Sequence, residues 1–383
     1  MSGRTSLISL GIGLAAAGVG AAAGVAAERF AVGRPVLRRP PQEGDEVPLG
    51  SLREVPLVLT ADDGTQLHVE VDEPQEPDPD DLTVVFSHGY ALNLDSWHYQ
   101  RLALQGRIRT VWWDQRGHGR SQRGPVGSAT IDQVGADLAA VIEATAPTGP
   151  LVLVGHSMGG MTVLSLAARQ PELFVDRVLG VALISTSSGG MQDLDLGLDR
   201  LGTLLHRAAP AALSLLARRP GLVERTRRIG SDLEEVIVKR WSYASEVSSE
   251  LVDFTARMIA STRIEVVSDF LPAFSRHDKK EALESLKTAQ TLVLVGDKDL
   301  MISPEHSEAI AAALPDAEYA LVRDAGHLVM LEHPEIVTPH LVALLHRVRQ
   351  QLSSEPEKEP VPVRARTIVR RRPPTRSRRR RRP

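Results

Sequence analysis

Residues 151–160 read Leu-Val-Leu-Val-Gly-His-Ser-Met-Gly-Gly, and no other stretch restricts the fold as tightly. A run of apolar residues meets Gly155-His156-Ser157-Met158-Gly159, and an apolar, alanine-containing segment follows at once. That order predicts strand, abrupt turn and helix, with a serine at the tip of the turn. It is the G-x-S-x-G arrangement of a nucleophile elbow. A serine hydroxyl is a weak nucleophile unless it is exposed, held in place and paired with a base. The motif therefore sends the search outward, to the rest of the chain.

The 383 residues, 42% of them hydrophobic, suffice for one large α/β domain with an insertion, or for two domains. Predicted strands fall at residues 55–59, 66–71, 82–86, 110–113, 151–154, 178–184, 291–295 and 319–322. The first two flank Asp62-Asp63-Gly64, a hairpin signature. Most of the others are continuous apolar runs, which suit a parallel sheet covered on both faces. Helical patterns lie between them at 131–144, 161–169, 304–313 and 333–352. The alternation predicts an α/β fold, a doubly wound and mostly parallel sheet after an antiparallel start.

Residues 187–284 break this rhythm, with no convincing strand and helical patterns at 201–217, 232–243 and 249–264. Helices inserted between two sheet strands predict a cap over the carboxyl edge of the sheet, where ligands bind in open α/β folds. The expected organisation is a core at 54–186 and 287–352 with a helical cap at 187–286.

Ser157 needs a base, an orienting group and donors for an oxyanion. After the strand at 291–295 comes Gly296-Asp-Lys-Asp, so Asp297 and Asp299 both leave the carboxyl end of a strand. Asp299 is preferred because the Gly-x-x-Asp spacing carries it into the loop; either could instead be a plain turn residue. His327 follows the last short strand, behind Gly326 and just before the final helix. The order Ser, Asp, His, each after a strand, is the order this kind of site requires. The backbone N–H of Met158 opens the elbow helix, where the helix dipole favours negative charge. A second donor is expected from Tyr90, in the Ser87-His88-Gly89-Tyr90 loop after the third strand.

Together, His88-Gly89, Asp114-Gln-Arg-Gly-His-Gly-Arg-Ser121, the Gly-His-Ser-Met-Gly-Gly elbow, Gly296 to Asp299 and Gly326-His327 resemble the α/β-hydrolase superfamily over residues 54–350. The resemblance implies that His327 deprotonates Ser157, that Asp299 orients His327, and that the Met158 and Tyr90 N–H groups hold the oxyanion. It implies no metal and no organic cofactor, and gives the Arg-Gly-His-Gly stretch a loop-shaping role. A serine at the elbow argues against the epoxide hydrolases and haloalkane dehalogenases of the superfamily, which use aspartate there. The expected activity is ester hydrolysis of apolar, lipid-like substrates. Thioesterase, carbon–carbon bond hydrolase and cofactor-free haloperoxidase or perhydrolase are the alternatives, with a catalytically silent binding module as the non-enzyme alternative.

The ends are of another kind. Residues 7–27 carry no charge and are built mainly of Ala, Gly, Leu, Ile and Val. Roughly 20 such residues span a bilayer core, so residues 1–30 are expected to form a membrane-associated helix. An Ala-x-Ala triplet at 21–23 leaves a cleaved export signal as the alternative. Arg29, Arg34, Arg38 and Arg39 follow the apolar stretch, which by the positive-inside rule places the downstream domain in the cytoplasm. Residues 31–53 read as a linker. Residues 353–383 read as a disordered Pro- and Arg-rich tail, with 11 arginines in the last 20 residues and an acidic body behind them. Anionic lipid is the expected partner of this tail; without interleaved aromatics, nucleic acid is a poor one. The chain has no cysteine, which excludes disulfides and thiolate chemistry.

Overall fold

The structure, a computed structural model, describes residues 47–191 and 238–354. The apolar stretch at 7–27, most of the linker, the helical pattern at 201–217, residues 232–237 of the pattern at 232–243, and the arginine tail lie outside the described residues.

Eight strands form one sheet: β1 Leu57–Thr60, β2 Gln66–Asp72, β3 Thr83–Ser87, β4 Arg109–Trp113, β5 Leu151–His156, β6 Val178–Ile184, β7 Gln290–Gly296 and β8 Glu318–Val322. Their order is β1-β2-β4-β3-β5-β6-β7-β8. The β1–β2 and β2–β4 pairs are antiparallel, and every later pair is parallel. This is the doubly wound sheet with an antiparallel start that the apolar runs predict. β3 and β5 are buried along their whole length, so neither presents a face to solvent.

The helices are α1 His98–Leu104, α2 Ile131–Thr145, α3 Met158–Arg169, α4 Pro171–Asp176, α5 Ser249–Ser261, α6 Ile264–Arg276, α7 Pro304–Ala313, α8 Val329–Glu332 and α9 Pro334–Ser354. One face of the sheet packs Phe86, Val154 and Leu294 against Val337, Leu341 and Leu344 of α9. The other packs Val85, Leu153 and Val293 against Leu138 of α2, Val163 of α3 and Ile310 of α7. Side chains of β-branched and leucine residues on both faces thus fix the sheet between two helical layers.

The helix predicted at 249–264 is α5, and a further helix that was not predicted, α6, follows it. Ser248 caps α5, its side chain accepting the Leu251 N–H at 3.2 Å. This helix ends where Thr262 and Arg263 turn extended, and α6 starts at Ile264. Ser261 turns its hydroxyl onto the Met258 carbonyl at 2.6 Å, a local bond that competes with helix continuation. Residues Val266, Phe270 and Ala273 make the buried face of α6. That face lies over the loops that follow β3 and β4: Val267 O accepts the Tyr90 hydroxyl at 2.5 Å, and Phe270 packs against His118 with ring centroids 5.4 Å apart. Among the described residues no helix is long and apolar enough to cross a membrane.

Candidate active site

β5 delivers Ser157 to the tip of a turn in a conformation that side chains avoid, φ 53° and ψ −118°. Such a backbone costs on the order of 1–3 kcal/mol and persists only where the surroundings impose it. Here they do. The Ser157 N–H donates to Ile184 O at 2.9 Å, and the Ser157 carbonyl accepts the Thr186 hydroxyl at 2.7 Å. The flanking glycines let strand and helix close on each other. A Cβ on Gly155 would stand 2.5 Å from the Gly159 backbone, and one on Gly159 would collide with the Ser87 carbonyl. Sterics thus dictate the G-x-S-x-G spacing.

Ser157 and His327 are each 7% exposed and Asp299 4%, so the three are sheltered but not sealed. His327 Nδ1 lies 2.8 Å from Asp299 Oδ2. The other carboxylate oxygen of Asp299 accepts the N–H groups of Met301 and Ile302 at 2.8 and 2.9 Å. Those two bonds fix the carboxylate, and through it the ring, with Nδ1–H as donor and Nε2 left to act as a base. Asp297 does not share this site: its carboxylate approaches Ala325 N at 3.4 Å. His327 adjoins the elbow through His156, the residue before Ser157, whose Nε2 is 2.9 Å from the His327 carbonyl oxygen. Among the described residues the Ser157 hydroxyl itself has no hydrogen-bond partner.

Met158 is the first residue of α3, so its N–H lacks an intrahelical acceptor. Tyr90 lies in the loop after β3. Neither amide donates to an acceptor among the described residues. That loop is stiffened from below. His88 Nδ1 is 2.7 Å from Gly89 O, its Nε2 accepts the Gln115 N–H at 2.9 Å, and Gln115 Oε1 accepts the Thr162 hydroxyl of α3 at 2.7 Å. Burial first, and the neighbouring His118 second, hold His88 down at about 3, so it stays neutral. The Tyr90 phenol is pushed well above its ordinary value by burial and then by the charge of Asp269, and it remains a donor to Val267.

The stretch from Asp114 to Ser121 shapes its loop as expected. Asp114 accepts the N–H groups of Leu94 and Arg120, both at 2.8 Å, and Ser121 donates to Asp114 O at 2.5 Å. His118 Nδ1 is 3.0 Å from Arg116 O, and its ring packs beside Tyr90 and His88. Met158 and Met161 of the elbow helix belong to a buried apolar cluster with Met191, Phe270 and Ile302, and Tyr90 packs against it. Among the described residues no group of three or more metal-ligating side chains comes together.

Two residues of this neighbourhood escaped the sequence reading. One is His156, whose role depends on a carbonyl 171 positions away. The other is Glu332, a carboxylate 0% exposed. Its signal was present: it is the one charge in Leu328-Val-Met-Leu-Glu332, an otherwise apolar turn.

A family model for the α/β hydrolase fold matches residues 83–334. The chain is 27% identical over 299 residues to a non-heme chloroperoxidase of Streptomyces lividans, covering 75% of this chain and 98% of that one. It is 25% identical over 257 residues to an sn-1-specific diacylglycerol lipase of Mus musculus, covering 66% and 77%. A thermophilic esterase from Thermogutta terrifontis superposes with a TM-score of 0.62 at 27% identity, over 77% of this chain and 99% of the esterase. The family match runs from β3 through β8, with the elbow and the loops bearing Asp299 and His327, and the chain belongs to the α/β hydrolase family.

Proposed function

We propose that this hydrolase cleaves carboxylic esters with apolar acyl groups, using Ser157 as nucleophile, His327 as general base and Asp299 as its orienting carboxylate. The observation that carries the reading is the 2.8 Å contact of Asp299 with His327 Nδ1, on a loop hydrogen-bonded to the residue before the strained Ser157. In this mechanism His327 Nε2 takes the Ser157 proton as Oγ attacks the ester carbonyl. The resulting oxyanion is held by the N–H groups of Met158 and Tyr90, each worth on the order of 3 kcal/mol of barrier. His327 then returns the proton to the departing alcohol, and water, deprotonated by the same ring, releases the acid.

The apolar cluster of Met158, Met161, Met191, Phe270 and Ile302 supports an apolar acyl group rather than a charged one. The inserted helices serve as a cap over that group, in line with a core at 54–186 and 287–352 and an insertion at 187–286. The names of two similar proteins, an esterase and a diacylglycerol lipase, agree with this substrate class. The uncharged stretch at 7–27 supports membrane association beside lipid esters.

Fluorophosphonate labelling with an ester panel graded by acyl length tests the reading. The wild type should be labelled and should favour medium or long acyl chains, and Ser157→Ala should be neither labelled nor active. Equal labelling of Ser157→Ala removes Ser157 as nucleophile. An intact protein that hydrolyses no ester is a silent member of its family.

A further inference from the structure

Glu332 closes the short helix α8, five residues after His327, with its carboxylate fully buried. Such a charge is costly to desolvate unless donors surround it. Three backbone N–H groups do so. Oε2 accepts from Gly326 at 2.6 Å, and Oε1 from Ala244 at 2.8 Å and Ser245 at 2.5 Å. One carboxylate therefore holds both the residue before His327 and two residues of the segment inserted between β6 and β7. The residue after His327 is bound to the same place, since Leu328 N–H donates to Ser242 O at 2.9 Å. The two strands of chain are in direct contact: a Cβ on Gly326 would stand 2.8 Å from Ser242 O.

His327 is thus clamped on both sides by contacts that reach residues 242–245. We infer that Glu332 is a positioning residue that latches the inserted segment to the histidine loop, so that seating the insertion and placing His327 are one event. The inference rests on the reading of His327 as the general base. Glu332 acts through that ring and touches no substrate. Lifting residues 242–245 withdraws the Ala244 and Ser245 donors from the carboxylate and releases the loop that carries the base.

The test is a double-mutant cycle with Glu332→Gln in the wild-type and His327→Ala backgrounds of the full chain, on a small soluble ester. The glutamine keeps the shape but turns an N–H₂ toward backbone donors. The expected result is a loss in kcat of at least about tenfold with KM within about twofold, and no further loss when His327 is already absent. An equal loss in both backgrounds makes Glu332 merely structural and overturns the latch, as does wild-type activity in Glu332→Gln. A His327→Ala enzyme as active as wild type removes the base assignment, and the latch with it. Should Glu332→Gln fail to fold, hydrogen exchange on the wild type decides. Amides sharing one acceptor, Ala244, Ser245 and Gly326, should show protection within about tenfold of each other, and a wider spread overturns the latch.

Discussion

His156 Nε2 lies 2.9 Å from the carbonyl oxygen of His327, and the two rings are tilted against each other with centroids 4.8 Å apart. A carbonyl only accepts, so His156 carries its proton on Nε2. Its Nδ1 faces Gly89, where an added Cβ would stand 2.7 Å away. Burial first, and the nearby His327 second, keep His156 well below the usual histidine range. The residue preceding Ser157 is therefore a neutral brace for the backbone of His327.

Replacing that brace by a ring without a donor, His156→Phe, leaves a buried carbonyl unsatisfied at a cost of about 1–3 kcal/mol. The expected outcome is a kcat lowered by roughly tenfold with little change in KM, since only the placement of His327 is disturbed. Steady-state kinetics on a short-chain ester check it. An unchanged kcat shows that the elbow and the histidine loop hold their geometry without this bond.

Asp297 and Asp299 look alike in sequence and differ in what they hold. In Asp299→Asn the bonds from Met301 and Ile302 to Oδ1 can survive, while the amide cannot accept the His327 Nδ1 proton as the carboxylate does. Loss of the correct histidine tautomer in such a triad lowers kcat on the order of 10⁴-fold. Asp297→Asn should stay within about threefold of wild type, as surface changes away from special features are mild. Parallel kcat measurements on the two variants separate the residues, and a larger loss at Asp297 reverses their roles.

Much of this was legible because sterics leave few options. Gly155 and Gly159 are forced by the close approach of β5, α3 and the Ser87 carbonyl, so the elbow announces itself. The hairpin announces itself too, with Gly64 at φ 85° and Asp63 accepting the Thr65 N–H at 3.1 Å. What periodicity missed was decided by packing. The polar Ser261-Thr262-Arg263 marks the break between α5 and α6, but the period of α6 beyond it escaped the sequence reading. Helix α3 starts at Met158, directly after Ser157, as the elbow motif requires, although the apolar period shows only from Met161. Short α1 and α4 carry too few residues for a period to show. Glu332 is readable as an odd charge, but its partners at 244 and 245 exist only in the folded chain.

Arg116 sits in the loop that follows β4 and offers a test of stability apart from catalysis. Its Nε and Nη2 bind Asp137 at 2.6 and 2.7 Å, its Nη1 binds Asp63 at 2.6 Å, and Arg116 and Asp137 are each 1% exposed. Arg116→Met leaves the Asp137 carboxylate buried without its cation, at a cost of about 3–5 kcal/mol. Removing both charges, Arg116→Met with Asp137→Leu, should recover much of that loss, because the unpaired anion is the main penalty. Urea unfolding of the two variants measures it. A double variant no better than the single one would place the cost in lost packing instead.

Stability should fall on acidification, and the sign follows from four buried groups. His88 is held at about 3 by burial and then His118, His118 at about 4 by burial, and His156 well below its usual range by burial and then His327. In the unfolded chain each returns to about 6.5. Between about 6.5 and 4 the unfolded state therefore binds protons that the native state refuses. The stability these histidines contribute is fully present above about 6.5 and drains away as pH falls. Asp114 works in the opposite direction: burial raises it to about 6, so the native state holds a proton there that the unfolded state has released. Its contribution is present below about 4 and lost as pH rises through about 6. Three histidines outweigh one aspartate, and Tm should drop by several degrees between pH 7 and 4.5. His118→Gln removes one of the three and should flatten the slope. Scanning calorimetry at fixed ionic strength gives both numbers. A wild-type Tm that does not change over this range, or a His118→Gln slope equal to that of wild type, would show that these rings take up protons in the folded protein.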